Sequence, residues 1–146
     1  MISPLAALYD ISLGIHQITG LGLILLAVAI TVVSVLSRNE TPVIEYGLRF
    51  KVVAYPLITL VVLTGIYQLI ELNEKFFQGW VVGATCLGIG YMGVLDGAWT
   101  PLARKILSGE LEGKELAQAK TRAITLGVAL MLMIIGATGM MESATG

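Results

Sequence analysis

His16 is the only histidine and Cys86 the only cysteine in this chain of 146 residues. An imidazole can donate, accept or ligate a metal. Inside a long apolar stretch it is expected to stay uncharged and to need a hydrogen-bond partner or a metal. Ser12, His16 and Gly20 follow at four-residue intervals, one face of a helix, so the ring is expected to point into a bundle. Tyr67, Gln68 and Glu71 fall at a similar depth and are candidates to position it. Three roles stay open for His16: an interhelical hydrogen bond, an axial ligand to haem b or a related tetrapyrrole, or proton and ion handling. Haem iron accepts one His, or His with Met, so a lone histidine suffices. A bis-His haem would take His16 from a second copy.

A second constellation is assembled by depth. His16, Cys86, Met140 and Met141 are all expected in the same half of the membrane. Imidazole, thiolate and thioether together suit Cu(I). They have no ligand spacing of the C-x-x-C kind, and methionine also fills apolar cores. Asp96 lies near Lys51, Arg104 and Arg122 in expected depth, which points to an ion pair at the membrane boundary. No chain of acidic groups accompanies it, so a proton relay lacks its other members.

The most regular pattern is Gly79, Gly83, Cys86, Gly90, Gly93 and Gly97, spaced 4, 3, 4, 3 and 4. On a regular helix all six share one face. Helices in lipid gain little by hydrophobic attraction to each other, and small residues let their backbones approach. This face is read as a packing seam, inward or against a second copy, or as room for a flat cofactor or lipid-like substrate.

These residues need elements to hold them, and the charge pattern supplies those. Four runs lack Asp, Glu, Lys and Arg: residues 11–37, 52–70, 76–95 and 123–141, of 27, 19, 20 and 19 residues. Nineteen helical residues rise about 28 Å, close to a bilayer's hydrocarbon core. The runs are continuously apolar, which excludes the alternation of barrel strands. Pro56 near the start of the second run is expected to bend its helix without ending it. The chain is 56% hydrophobic and only 13% charged, about half the charge of a soluble domain. The expectation is one all-α domain over residues 1–146, an integral membrane antiparallel four-helix bundle with helices at about 11–37, 50–71, 77–107 and 111–142.

Topology follows from the basic residues. Arg38, Arg49 and Lys51 flank the first connection, and Arg104, Lys105, Lys114, Lys120 and Arg122 the third, eight in all, against Lys75 alone in the second. Basic residues stay on the cytoplasmic side, so both termini are expected outside. Trp80 and Trp99 sit near opposite ends of the third helix, where indoles favour the interface. The third connection, 100–121, reads as a short hairpin beyond the membrane, turning at Ser108-Gly109, with Glu110 and Lys114 placed to pair on a helix. No basic residue precedes the first run, which exceeds a signal peptide's apolar region, so it is expected to be retained.

Net charge is −1 and no basic tract marks a nucleic-acid surface. The sequence contains no G-x-S-x-G, P-loop or H-E-x-x-H, so no enzymatic signature is present.

His16-Gln17 in "GIHQITG", Arg49 in "LRFK", Thr64-Gly65 in "VLTGIY" and Arg122 in "KTRAITLG" resemble the copper-resistance-D-like bacterial membrane proteins and their uncharacterised four-helix relatives. The resemblance covers most of the chain on short motifs. It implies four helices with outside termini in the bacterial inner membrane and a cofactor position at His16. A haem-associated protoporphyrinogen oxidase is similar in layout. The chain departs from these patterns in having no Trp-x-Gly-Gly after the histidine and no lysine within the third helix, a residue the oxidase chemistry needs. The expected function is a small non-catalytic membrane component. It would carry haem b at His16 or serve a larger redox assembly, docked through the third helix's glycine face as complex partner or homo-oligomer. The alternatives are a transporter component for copper or a small hydrophobic solute, and a haem-linked oxidase.

Overall fold

The computed structural model describes residues 4–71 and 78–145, with side chains over 7–71 and 78–140. Among the described residues every regular element is helical. Four stretches are long and apolar enough to cross a membrane: Ala7–Leu36, Thr41–Glu71, Gly79–Ser108 and Gly113–Met140. That marks a membrane protein. The expected positions of Lys75 and of the start of the third helix at 77 lie outside the described residues, as does the side chain of Met141.

The first stretch is one helix, α1 (Pro4–Leu36), beginning at a proline whose missing N–H costs nothing at a helix start. It ends in a tight turn in which Ser37 caps back onto the Ser34 carbonyl at 2.7 Å. The second stretch begins at Thr41, nine residues before the expected 50. Pro42 opens it in a 3-10 turn (Thr41–Val43), followed by α2 (Ile44–Phe50), a second 3-10 turn (Lys51–Val53) and α3 (Ala54–Glu71). The charge-free run marked only the part that must face lipid; Glu45, Arg49 and Lys51 sit comfortably on the same helical rod near its end. The 3-10 turn at 51–53 precedes Pro56, whose ring crowds the carbonyl four residues back, so a tighter turn absorbs the misfit.

The third stretch runs as α4 (Gly79–Met92), a π-helical segment (Gly93–Trp99) and α5 (Thr100–Ser108). Pro101 removes one backbone donor here. The Thr100 backbone N–H and hydroxyl both donate to the Leu95 carbonyl, the hydroxyl at 2.7 Å. Gly109, at φ 75, closes α5 in the left-handed conformation that glycine adopts without strain. The fourth stretch is α6 (Gly113–Thr145). Glu110 stays in the loop before it, so the expected Glu110/Lys114 pairing on one helix does not arise.

The helices stand in a row. α1 packs against both α3 and α6, and α6 packs against α4, while α3 and α4 scarcely touch. At the Trp99 end α2 meets both α1 and α5, and α5 meets α6, which closes the row into a bundle. The main core gathers there, around Ile30, Ile44, Leu95, Trp99, Ile106 and Ala123. Toward the His16 end the row stays open. Gly127 permits the closest approach of α1 and α6, since a Cβ there would lie 2.8 Å from Thr31 Oγ1 and 3.0 Å from Thr31 Cα.

Candidate functional site around His16

His16 sits on α1 facing α3. Its Nδ1 lies 3.0 Å from Thr64 Oγ1. Thr64 Oγ1 donates its single proton to the Leu60 carbonyl, at 2.6 Å. With that proton on Leu60, the hydroxyl is placed to accept from an Nδ1–H, and the tautomer decides which ring nitrogen donates. One turn earlier on α1, Ser12 Oγ reaches the Thr64 carbonyl at 3.4 Å. Gly65 makes room for the ring: a Cβ there would meet His16 Cε1 at 3.3 Å. The Thr64-Gly65 pair therefore supplies both an acceptor and a flat bed for the imidazole. On the same helix, the Thr19 hydroxyl turns back to the Ile15 carbonyl at 2.7 Å, a bond within α1.

Of the residues expected to position His16, Tyr67 and Gln68 lie one turn beyond Thr64 on α3 and Glu71 two turns beyond it. Tyr67 Oη, near Glu71 but outside hydrogen-bonding geometry, and Gln68 Nε2 are buried atoms with no hydrogen-bond partner among the described residues. Glu71 is exposed at the end of α3. The missed residue is Thr64, whose signal was the Thr-Gly step itself.

The copper set is not brought together. His16 belongs to the α1–α3 interface, whereas Met140 Sδ lies against Gly83 of α4, 2.6 Å from where a Cβ would be. Cys86 is exposed. No group of three His, Cys, Asp or Glu side chains among the described residues could hold a metal ion.

The glycine face divides. The inward side of α4 is Val81, Ala84 and Tyr91. Gly83 and Gly90 lie at its edge, against Met140 and Met133 of α6, while Gly79, Cys86, Gly93 and Gly97 are exposed. Most of this face is thus turned away from the bundle. The reason is side-chain volume: a core needs bulk to fill it, and glycines supply none. The π segment also breaks the regular spacing before Gly97 is reached.

At the opposite end three polar links join the helices. Lys51 Nζ pairs with Asp96 Oδ1 at 2.7 Å, and the Tyr55 hydroxyl donates to Asp96 Oδ2 at 2.9 Å. Lys51 is thus the partner that Asp96 finds. Lys120 Nζ donates to Thr41 Oγ1 at 2.7 Å and to the Arg38 carbonyl at 3.3 Å. Trp99 Nε1 donates to Ser34 Oγ at 3.0 Å. Trp99 is completely buried, which corrects its expected place in the lipid interface. Gly47 leaves the space its ring occupies, and Ser34 satisfies the indole N–H that burial would otherwise strand. Trp80 is half-buried and donates to Gln78 Oε1 at 2.6 Å.

Compared with protein-family models, curated proteins and solved structures, the chain matches none.

Proposed function

We propose that this chain is a small non-catalytic subunit of a larger membrane assembly, crossing the inner membrane four times with both termini outside. One observation carries the reading: α4 and the π segment after it turn Gly79, Cys86, Gly93 and Gly97 away from their own bundle. An apolar helix that faces only lipid gains nothing from small residues there, whereas a helix that another backbone must approach does. The polar side chains support the same reading. His16, Lys51, Asp96 and Trp99 bridge one helix to another, and Lys120 ties α6 to the first connection, which builds a scaffold. The eight-to-one partition of basic residues sets the orientation.

The test is native electrophoresis of mildly solubilised membranes carrying the chain, beside a Gly93→Leu variant. A Cβ at Gly93 meets no neighbour, so the substitution leaves the bundle itself intact. The parent is expected to migrate well above a single chain, and the variant to fall to the single-chain position. Co-purification of two differently tagged copies distinguishes a homo-oligomer from a complex with other subunits. A parent that already migrates as one chain overturns the proposal.

A second reading, a tetrapyrrole carrier, is supported by the contact between His16 and Thr64. A metal-ligating histidine characteristically donates its other ring N–H to a protein acceptor. Here Thr64 Oγ1, 3.0 Å from Nδ1, is an acceptor of that kind. Haem b bound there would supply one-electron chemistry; the chain's own part is to fix the ring and its tautomer. A reduced-minus-oxidised visible spectrum decides it. A Soret band lost in His16→Ala supports this reading, and a colourless chain purified from haem-replete cells excludes it.

A further inference from the structure

The basic residues at the Trp99 end are unequally engaged. Lys51, Arg49 and Lys120 each hold a partner at 2.7 Å, namely Asp96, Glu45 and Thr41. Arg122 makes no ion pair or hydrogen bond among the described residues. Its position gives that meaning. Lys120 meets the first connection between helices, whereas Arg122 lies two residues further along α6, where the charge-free run 123–141 begins. A guanidinium at that boundary reaches back toward headgroup level while its stem lies along apolar surface. Helical side chains lean toward the N-terminus, which aims Arg122 at Gln118, one turn before it.

Ala117, Gln118, Thr121 and Arg122 line an open groove on the exposed side of α6. Ala117 and Thr121 are one turn apart on it. The Thr121 hydroxyl donates to the Ala117 carbonyl at 3.1 Å, so the groove's outward donors are the Gln118 amide and the Arg122 guanidinium. Glu115, a nearby carboxylate on α6, is seven residues from Arg122, about 10 Å along the helix axis. Beyond Thr121 the same face continues as Thr125, Val128, Leu132 and Ile135, at spacings of 4, 3, 4 and 3, all exposed.

We propose that this groove binds the phosphodiester headgroup of an anionic phospholipid from the surrounding bilayer. The planar fork of Arg122 matches two phosphate oxygens, and Gln118 adds a neutral donor. The apolar strip through Val128, Leu132 and Ile135 gives an acyl chain a path from the headgroup into the membrane. That continuity selects a lipid over a free anion, which would have no use for it.

The full chain, washed in detergent with equimolar phosphatidylglycerol and phosphatidylcholine, is weighed by native mass spectrometry. The parent is expected to retain phosphatidylglycerol preferentially. Arg122→Gln is expected to retain roughly tenfold less, the scale of a lost charge-assisted hydrogen bond. Ala117→Phe fills the groove and leaves the charge in place; it is expected to lose the lipid as well, and it decides the matter alone if Arg122→Gln does not fold. Equal retention by parent and variants, or no preference over phosphatidylcholine, overturns the proposal. So does full displacement of the lipid by inorganic phosphate, which would mark a site for the free anion.

Discussion

His16 Nδ1 and Thr64 Oγ1 lie 3.0 Å apart across the α1–α3 interface, and Thr64 has already given its only proton to the Leu60 carbonyl. With that proton on Leu60, Thr64 Oγ1 is an acceptor for an Nδ1–H, so the Nδ1–H form is the expected one. Thr64→Val keeps the shape and removes the acceptor. The expected cost is about 1 kcal/mol, measured by unfolding in mixed micelles, since hydrogen bonds between membrane helices are worth about that or less. In a His16→Ala background the same substitution should cost measurably less. Nitrogen NMR of the imidazole gives an independent check, because Thr64→Val should weaken the preference for the Nδ1–H form. An unchanged tautomer ratio would count against the assignment.

Gly127 and Gly93 should respond in opposite ways to the same methyl group. At Gly127 it would meet Thr31 Cα at 3.0 Å, a backbone atom that cannot rotate aside. Overpacking of that kind costs about 1–3 kcal/mol. At Gly93 it meets nothing, so Gly93→Ala should leave the isolated chain's stability within about 0.5 kcal/mol, or raise it through helix propensity. Thermal unfolding of the two variants in one detergent compares them directly.

Trp99 and Gly47 are matched in volume. Gly47→Ala places a Cβ inside the ring's contact distance and should destabilise the chain although the position is helical. Trp99→Phe keeps most of the apolar area but leaves Ser34 without the indole donor, an expected loss of about 1–3 kcal/mol from lost packing and the lost hydrogen bond. Trp99→Ala empties the core at this end and should cost about 3–5 kcal/mol. Tryptophan emission should report the change, because a fully buried indole emits further to the blue than a half-buried one.

Lys51 and Asp96 form a pair in which the lysine side chain is only 14% exposed. Removing one partner leaves the other charge poorly solvated, so Asp96→Leu should destabilise more than the double change Lys51→Met with Asp96→Leu. The expected difference is about 1 kcal/mol. It should shrink little in high salt, because the lysine is largely sheltered from counterions. A double variant less stable than either single one would show that the pair's value lies elsewhere.

Much of the architecture could be read from charge alone. Four runs without ionised residues can only be buried in lipid or protein, and their length fits helices that cross a bilayer. The structure has four such stretches. Helix ends were less legible. Arg49 marked the first connection, yet it rides on a helical rod that begins at Thr41, because charge forbids a lipid core and does not forbid a helix.

The sequence by itself determined which residues were scarce enough to matter and roughly how deep each lies: His16, Asp96, the glycines of α4. Depth along a helix is a local property, fixed by a rise of about 1.5 Å per residue. Direction is a different matter. Which neighbour each side chain faces depends on how four rods turn about their axes, and that is set by packing volume across the whole bundle. Only the tertiary structure could give His16 to Thr64, bury Trp99 against Gly47, separate His16 from Met140, and turn most of the glycine face outward. The glycine spacing was visible from the start, but a seam without side chains fills no core. The bulk of Val81, Tyr91 and Leu95 decided which way α4 would face.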